Sequence, residues 1–68
     1  MNEIIFQIDQ APDGGYTAKA LGHSIFTEAE TLDELRTNVR DAVRCHFDAD
    51  QGPKLIRLHF VHDEVLAA

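Results

Sequence analysis

TLDELRTNVRDAVRCHF, Thr31 to Phe47, is the stretch on which the fold turns. Thr31 followed by Glu34 forms a capping box, in which the hydroxyl accepts from a free backbone N–H of the first turn and the carboxylate reaches back to the cap. Asp33 and Glu34 also suit the positive end of the helix dipole. At about 100° per residue, Leu32, Leu35, Val39, Ala42, Val43, His46 and Phe47 gather in one sector, while Asp33, Thr37, Asp41, Arg44 and Asp48 lie away from it. The spacing predicts one amphipathic helix starting near Leu32 and packed on a sheet through one face. Gly52-Pro53 is expected to stop the helical stretch.

Upstream, Glu3 to Asp9 (EIIFQID) sets Ile4, Phe6 and Ile8 against Glu3, Ile5, Gln7 and Asp9, which is strand periodicity. Ala11-Pro12-Asp13-Gly14-Gly15 supplies the fixed and positive φ values of a reversal, so Tyr16 to Leu21 is expected to return antiparallel. Gly22-His23 makes a second break, and Ser24 to Ala29 (SIFTEA) reads as a short third strand. Downstream, Lys54 to Val61 returns to period two, with Ile56, Leu58 and Phe60 alternating against Leu55, Arg57, His59 and Val61.

The order is β-β-β-α-β. A three-strand meander followed by a crossing helix places the last strand parallel to the first through a right-handed connection. The expected fold is therefore α+β with sheet order 3-2-1-4. One helix covers one sheet face, and Ile5, Leu55, Val61 and one side of Ile25-Phe26 are left on the other. Further subunits are expected to cover part of it.

Size points the same way. The 68 residues make one domain, 1–68, with a core over about 3–61 and a short tail, 62–68. A chain this short buries only about 60% of the surface its unfolded form exposes. A single cysteine, Cys45, excludes an intramolecular disulfide, and no cysteine and histidine spacing resembles a structural zinc site. Oligomerisation, as a dimer or tetramer, is the remaining staple. Met1-Asn2-Glu3 lacks the basic region of a signal peptide, and no segment approaches the roughly 20 apolar residues of a membrane span, so a cytoplasmic protein is expected. A formal charge of -6 disfavours nucleic acid as a partner of the whole chain and favours a basic protein.

Several residues invite chemistry. Two-metal nuclease catalysis needs converging carboxylates, and Asp9, Glu28, Glu30 and Asp63-Glu64 sit near strand ends without a compelling mutual spacing. Cys45-His46 and His59-x-x-His62 suggest metal ligation, but adjacent helix residues diverge by about 100°, and strand residues three apart face opposite ways. His46 is expected on the packed side of the helix C-terminus, Cys45 on its shoulder and Tyr16 in hairpin packing. Arg36, Arg40 and Arg44 form a basic row that could meet phosphate or an acidic surface. Asp33, Asp41 and Asp48 stand at pairing distance in sequence, which makes a solvated face the simpler reading.

Gly14-Gly15-Tyr16-Thr17-Ala18, then Thr27, then Thr31-Leu32-Asp33-Glu34-Leu35 with Asn38, Asp41-Ala42 and Val43, resembles the core domain of the HicB-like antitoxin family. The resemblance covers roughly residues 3 to 61 and implies a partial ribonuclease H-like fold. It departs from the family where Ala20-Leu21-Gly22-His23-Ser24 replaces the usual proline and "PGC" run. The sequence ends seven residues after Val61, so a stand-alone domain without a DNA-binding module, and no direct DNA binding, is the expectation. The resemblance implies a non-enzymatic homo-oligomer that neutralises a small basic toxin ribonuclease by masking its active surface, or a diverged orphan. No cofactor is expected. The competing expectation is a small metal-dependent nuclease or ligand-binding protein using strand-end carboxylates or histidines. Ile5, Leu55, Arg57, His59 and Val61 on the sheet, with Arg36, Arg40 and Arg44 on the helix, are the candidate partner or oligomer surface.

Overall fold

A computed structural model describes residues 2–68, and Met1 of the Met1-Asn2-Glu3 run lies outside them. The elements are β1 (Glu3–Gln10), β2 (Tyr16–Ala20), β3 (Phe26–Ala29), α1 (Leu32–His46) and β4 (Leu55–Val61). They form an α+β fold with sheet order β3-β2-β1-β4. β1–β2 and β2–β3 are antiparallel, and β4 runs parallel to β1. Among the described residues no helix is long and apolar enough to cross a membrane.

Alternation in β1 delivers what its sequence predicts: Ile4, Phe6 and Ile8 are buried and the residues between them are half-buried. The reversal into β2 places Gly14 at φ +98, a conformation that L side chains rarely adopt. Ala11 and Gly15 close the turn, the Ala11 N–H donating to the Gly15 carbonyl at 2.6 Å. β2 ends at Ala20 rather than Leu21, and β3 begins at Phe26 rather than Ser24. Ile25 still enters the core from the connecting segment, and its carbonyl accepts from the Ala20 N–H at 3.0 Å.

α1 starts at Leu32 because Thr31 caps it, with Oγ1 accepting from the Glu34 N–H at 3.1 Å. The reciprocal half of the capping box is not made: among the described residues Glu34 returns no side-chain bond and is exposed. The far end also differs from expectation. The helix stops at His46, and Phe47 turns extended, its N–H donating to the Val43 carbonyl at 3.1 Å. Gly52 is not the stop. It packs against Phe47, where an added Cβ would stand 3.3 Å from the Phe47 Cβ, so glycine there permits a close approach.

Leu35, Val39 and Val43 are the buried helix residues, and they join Ile4, Phe6, Ile8, Ala18, Ala20 and Ile25 in one core. The two small residues of β2 let the helix settle over β2 and β3 rather than over β4. Asn38 fastens it there, its Nδ2 donating to the Glu28 carbonyl at 3.1 Å. Coverage of β4 suffers in consequence. Ile56 and Leu58 are half-buried, whereas Phe60, expected on the packed side, is 49% exposed.

β4 is instead tied to β1. Arg57 Nε and Nη2 donate to the two carboxylate oxygens of Glu3 at 2.9 and 3.0 Å, a bidentate pair. This hydrogen bond, opposed by desolvation and aided by the guanidinium charge, holds the Glu3 carboxyl below its ordinary value.

Two predictions follow from these contacts. Thr31→Ala should lower the free energy of unfolding by about 1 kcal/mol, read as a reduced urea midpoint. Thr37→Ala, which removes only an exposed hydroxyl bonded to the Asp33 carbonyl, should show no such loss. For Glu3, a carboxyl more acidic folded than unfolded stabilises above the ordinary glutamate value of about 4.3, and that contribution disappears as pH falls through the lowered value. The midpoint difference between wild type and Glu3→Gln should therefore be steady at neutral pH and vanish in acid. A difference that persists unchanged in acid would show that the pair is not its source.

Candidate interaction surface

Strand register builds the face that α1 leaves open. Phe26, Lys19, Gln7 and His59 form one row across the sheet, and Glu28, Thr17, Asp9 and Val61 form the next. Ile5 stands beside Arg57, and Glu3 beside Leu55. Gln7 Nε2 donates to Asp9 Oδ2 at 3.2 Å. The centre of the face is thus polar, with apolar groups at its margins: Phe26, 62% exposed, on β3, and Leu55, also 62% exposed, on β4. Ile5 and Val61 are half-buried and His59 is exposed, so the predicted sheet residues do share one surface. Arg57 belongs to it with its guanidinium already engaged by Glu3.

The helix arginines divide. Arg36 pairs with Asp33 at 2.9 Å and Arg44 with Asp41 at 3.6 Å, all four exposed. Among the described residues Arg40 makes no ion pair, and Asp48 does not pair with Arg44. Arg36 and Arg40 join Lys54 on the rim of a groove of about 370 Å³ between α1 and β4, floored by Val39, Ile56 and Leu58. Arg44 lies elsewhere, beside Phe47 and Pro53. The groove exists because the helix sits off-centre on the sheet.

A second concentration of charge lies at the opposite edge. Asp13, Glu28, Glu30 and Glu34 line one depression of about 420 Å³. Tyr16 pairs with Ala29, which swings the Asp13 turn against the end of β3, and α1 begins two residues after Glu30. Asp13, in the turn, and Glu34, in the helix, join the strand-end carboxylates here although neither ends a strand. A hairpin register running from Tyr16 to Ala29 was the signal that could have added Asp13. Asp9 and Asp63, by contrast, face a separate depression of about 210 Å³ with His62. Among the described residues no three His, Cys, Asp or Glu side chains are grouped to hold a metal ion.

The histidines also regroup. His46 is exposed, not packed, and its ring lies edge-on to Phe47 at 4.9 Å. His23, from the β2–β3 connection, meets the same phenyl ring at 5.4 Å and His46 at 6.0 Å. These are aromatic contacts at the helix terminus, and those of His23 join residues 23 and 24 apart in sequence, which no local spacing indicates. Cys45 is free and exposed.

Comparison with known proteins finds no matching family model and no matching solved structure. A UPF0150 protein of Archaeoglobus fulgidus is 56% identical over 52 residues, covering 76% of this chain and 77% of the relative. A UPF0150 protein of Thermotoga maritima is 43% identical over 65 residues, covering 96% of this chain and 91% of the relative. Neither name states an activity, a ligand or a partner. Identity at that level over most of both sequences shows that the chain belongs to the UPF0150 family.

Proposed function

We propose that the chain is a non-enzymatic, cytoplasmic interaction protein of the HicB-like antitoxin kind, which masks the active surface of a small basic ribonuclease. The observation that carries this reading is the gathering of Asp13, Glu28, Glu30 and Glu34 around one open depression. An RNA-cleaving protein presents cations where the phosphate backbone binds. A complementary acidic surface steers such a partner into place and competes with its RNA. The formal charge of -6 and the HicB-like residues from Gly14 to Val43 support the same reading.

The test is capture and inhibition. The tagged chain should co-purify with a small basic ribonuclease encoded beside it and suppress its RNA cleavage. Replacing Glu28 and Glu30 by lysine, both exposed, should weaken that complex by at least about tenfold, with the loss concentrated in the association rate. Failure to bind any basic ribonuclease would remove the antitoxin role and leave an interaction protein with another partner.

A further inference from the structure

The sheet has two edges, and they are built differently. β3 is four residues long, and its Glu28 carbonyl is occupied by Asn38. β4 is seven residues long and has a described neighbour on one side only, β1. The Leu55 N–H donates to the Asn2 carbonyl at 3.0 Å. In a parallel ladder of that phase, Leu55, Arg57, His59 and Val61 direct their backbone groups to β1, and Ile56, Leu58 and Phe60 direct theirs outward. A long strand with three unpaired residues on its open side is a template for another strand.

We propose that β4 pairs antiparallel with β4 of a second copy across a two-fold axis at Leu58. That axis engages every outward-facing residue. Leu58 meets its own counterpart, and Ile56 meets Phe60 at both ends, each pair exchanging two backbone hydrogen bonds. Side chains agree with the register. Ile56, Leu58 and Phe60 lie on the face of Ile4, Phe6 and Ile8, so the exposed Phe60 of one copy lands beside Ile56 of the other, at the α1–β4 groove. On the opposite face the exposed Leu55 comes to lie against Val61 of the second copy.

Charge favours the same occupant. Past Val61 the second copy continues as His62-Asp63-Glu64, and this register sets His62 opposite Lys54. It carries Glu64, which has the parity of Phe60, past Lys54 on the face of Arg36 and Arg40, while Asp63 stays with Asp9 on the other face. The groove is basic and apolar, and the segment delivered to it brings an apolar Phe60 and, beyond it, the Glu64 carboxylate. An isologous interface requires just such self-complementarity.

Sedimentation of the full chain with Phe60→Lys as the variant tests the pairing. The wild type should be a dimer, and Phe60→Lys should raise its dissociation constant by at least about tenfold while keeping its circular dichroism. If that variant loses its fold, Leu55→Lys replaces it. Register is read separately in a Cys45→Ser background. Chains carrying Leu55→Cys, mixed with chains carrying Val61→Cys, should form disulfide-linked heterodimers, and neither should link to itself. A monomeric wild type, a dimer indifferent to both lysine variants, or self-linking of Leu55→Cys would each overturn the proposal. Pairing of β4 only with an extended segment of another protein would appear as the first of these outcomes.

Discussion

The seating of α1 on the two alanines of β2 is the contact on which the rest of the molecule depends. Ala18 and Ala20 are buried beneath the helix, and with so little side chain between them and the helix axis, Leu35, Val39 and Val43 reach the core from above β2 and β3. Close packing rewards that position because a void has no partner atoms on one side. A single 15-residue helix cannot also cover the fourth strand. Everything notable about β4 follows: the half-buried Ile56 and Leu58, the exposed Phe60, and a groove with basic residues on its rim.

Stability is correspondingly uneven. Large apolar side chains that make the core, Phe6, Ile8, Leu35 and Val39, are fully buried and clustered under the helix. β4 is held by its ladder to β1, by the partial burial of Ile56 and Leu58 against the core, and by one bidentate ion pair, Arg57 with Glu3. Exposed ion pairs contribute little individually because water screens them and ordering two side chains costs entropy. The two ends of the sheet therefore rest on different balances of force, with complete apolar burial beneath the helix and only partial burial, beside the β1 ladder, at β4.

Element order and sheet topology were legible in the sequence because each rests on local rules. Thr31 caps, Gly14 turns, and periods of 2 and about 3.6 residues separate strands from helix. Together with the handedness of the crossover, those rules lead to order 3-2-1-4. Errors gathered where a side chain's fate depends on distant packing. Gly52-Pro53 looked like a helix stop, but the helix ends at His46 once Phe47 turns into the space that Gly52 leaves open. Phe60 had the right parity for the core and still lies in the open, since parity says which face a residue takes and not whether anything covers it. The charged surfaces were the least legible. Asp13 and Glu34 are 21 positions apart, and only the β2–β3 register brings them to one depression.

That register also keeps the two charged surfaces apart. The acidic depression belongs to the β3 edge and the basic groove to the β4 edge, with two strands between. At roughly 4.8 Å per strand spacing, the two edge strands lie about 14 Å apart, more than a Debye length at physiological salt. Each surface then acts nearly independently of the other's field. An assembly joined along β4 would consume the basic groove and leave both acidic depressions at its outer ends, facing away from one another. Such a dimer would present two equivalent acidic sites and bind two basic partners without either blocking the other. An assembly joined along β3 would bury those carboxylates against their own copies, and like charges brought together out of water repel. The distribution of charge over the sheet therefore favours the edge that the packing of α1 leaves bare.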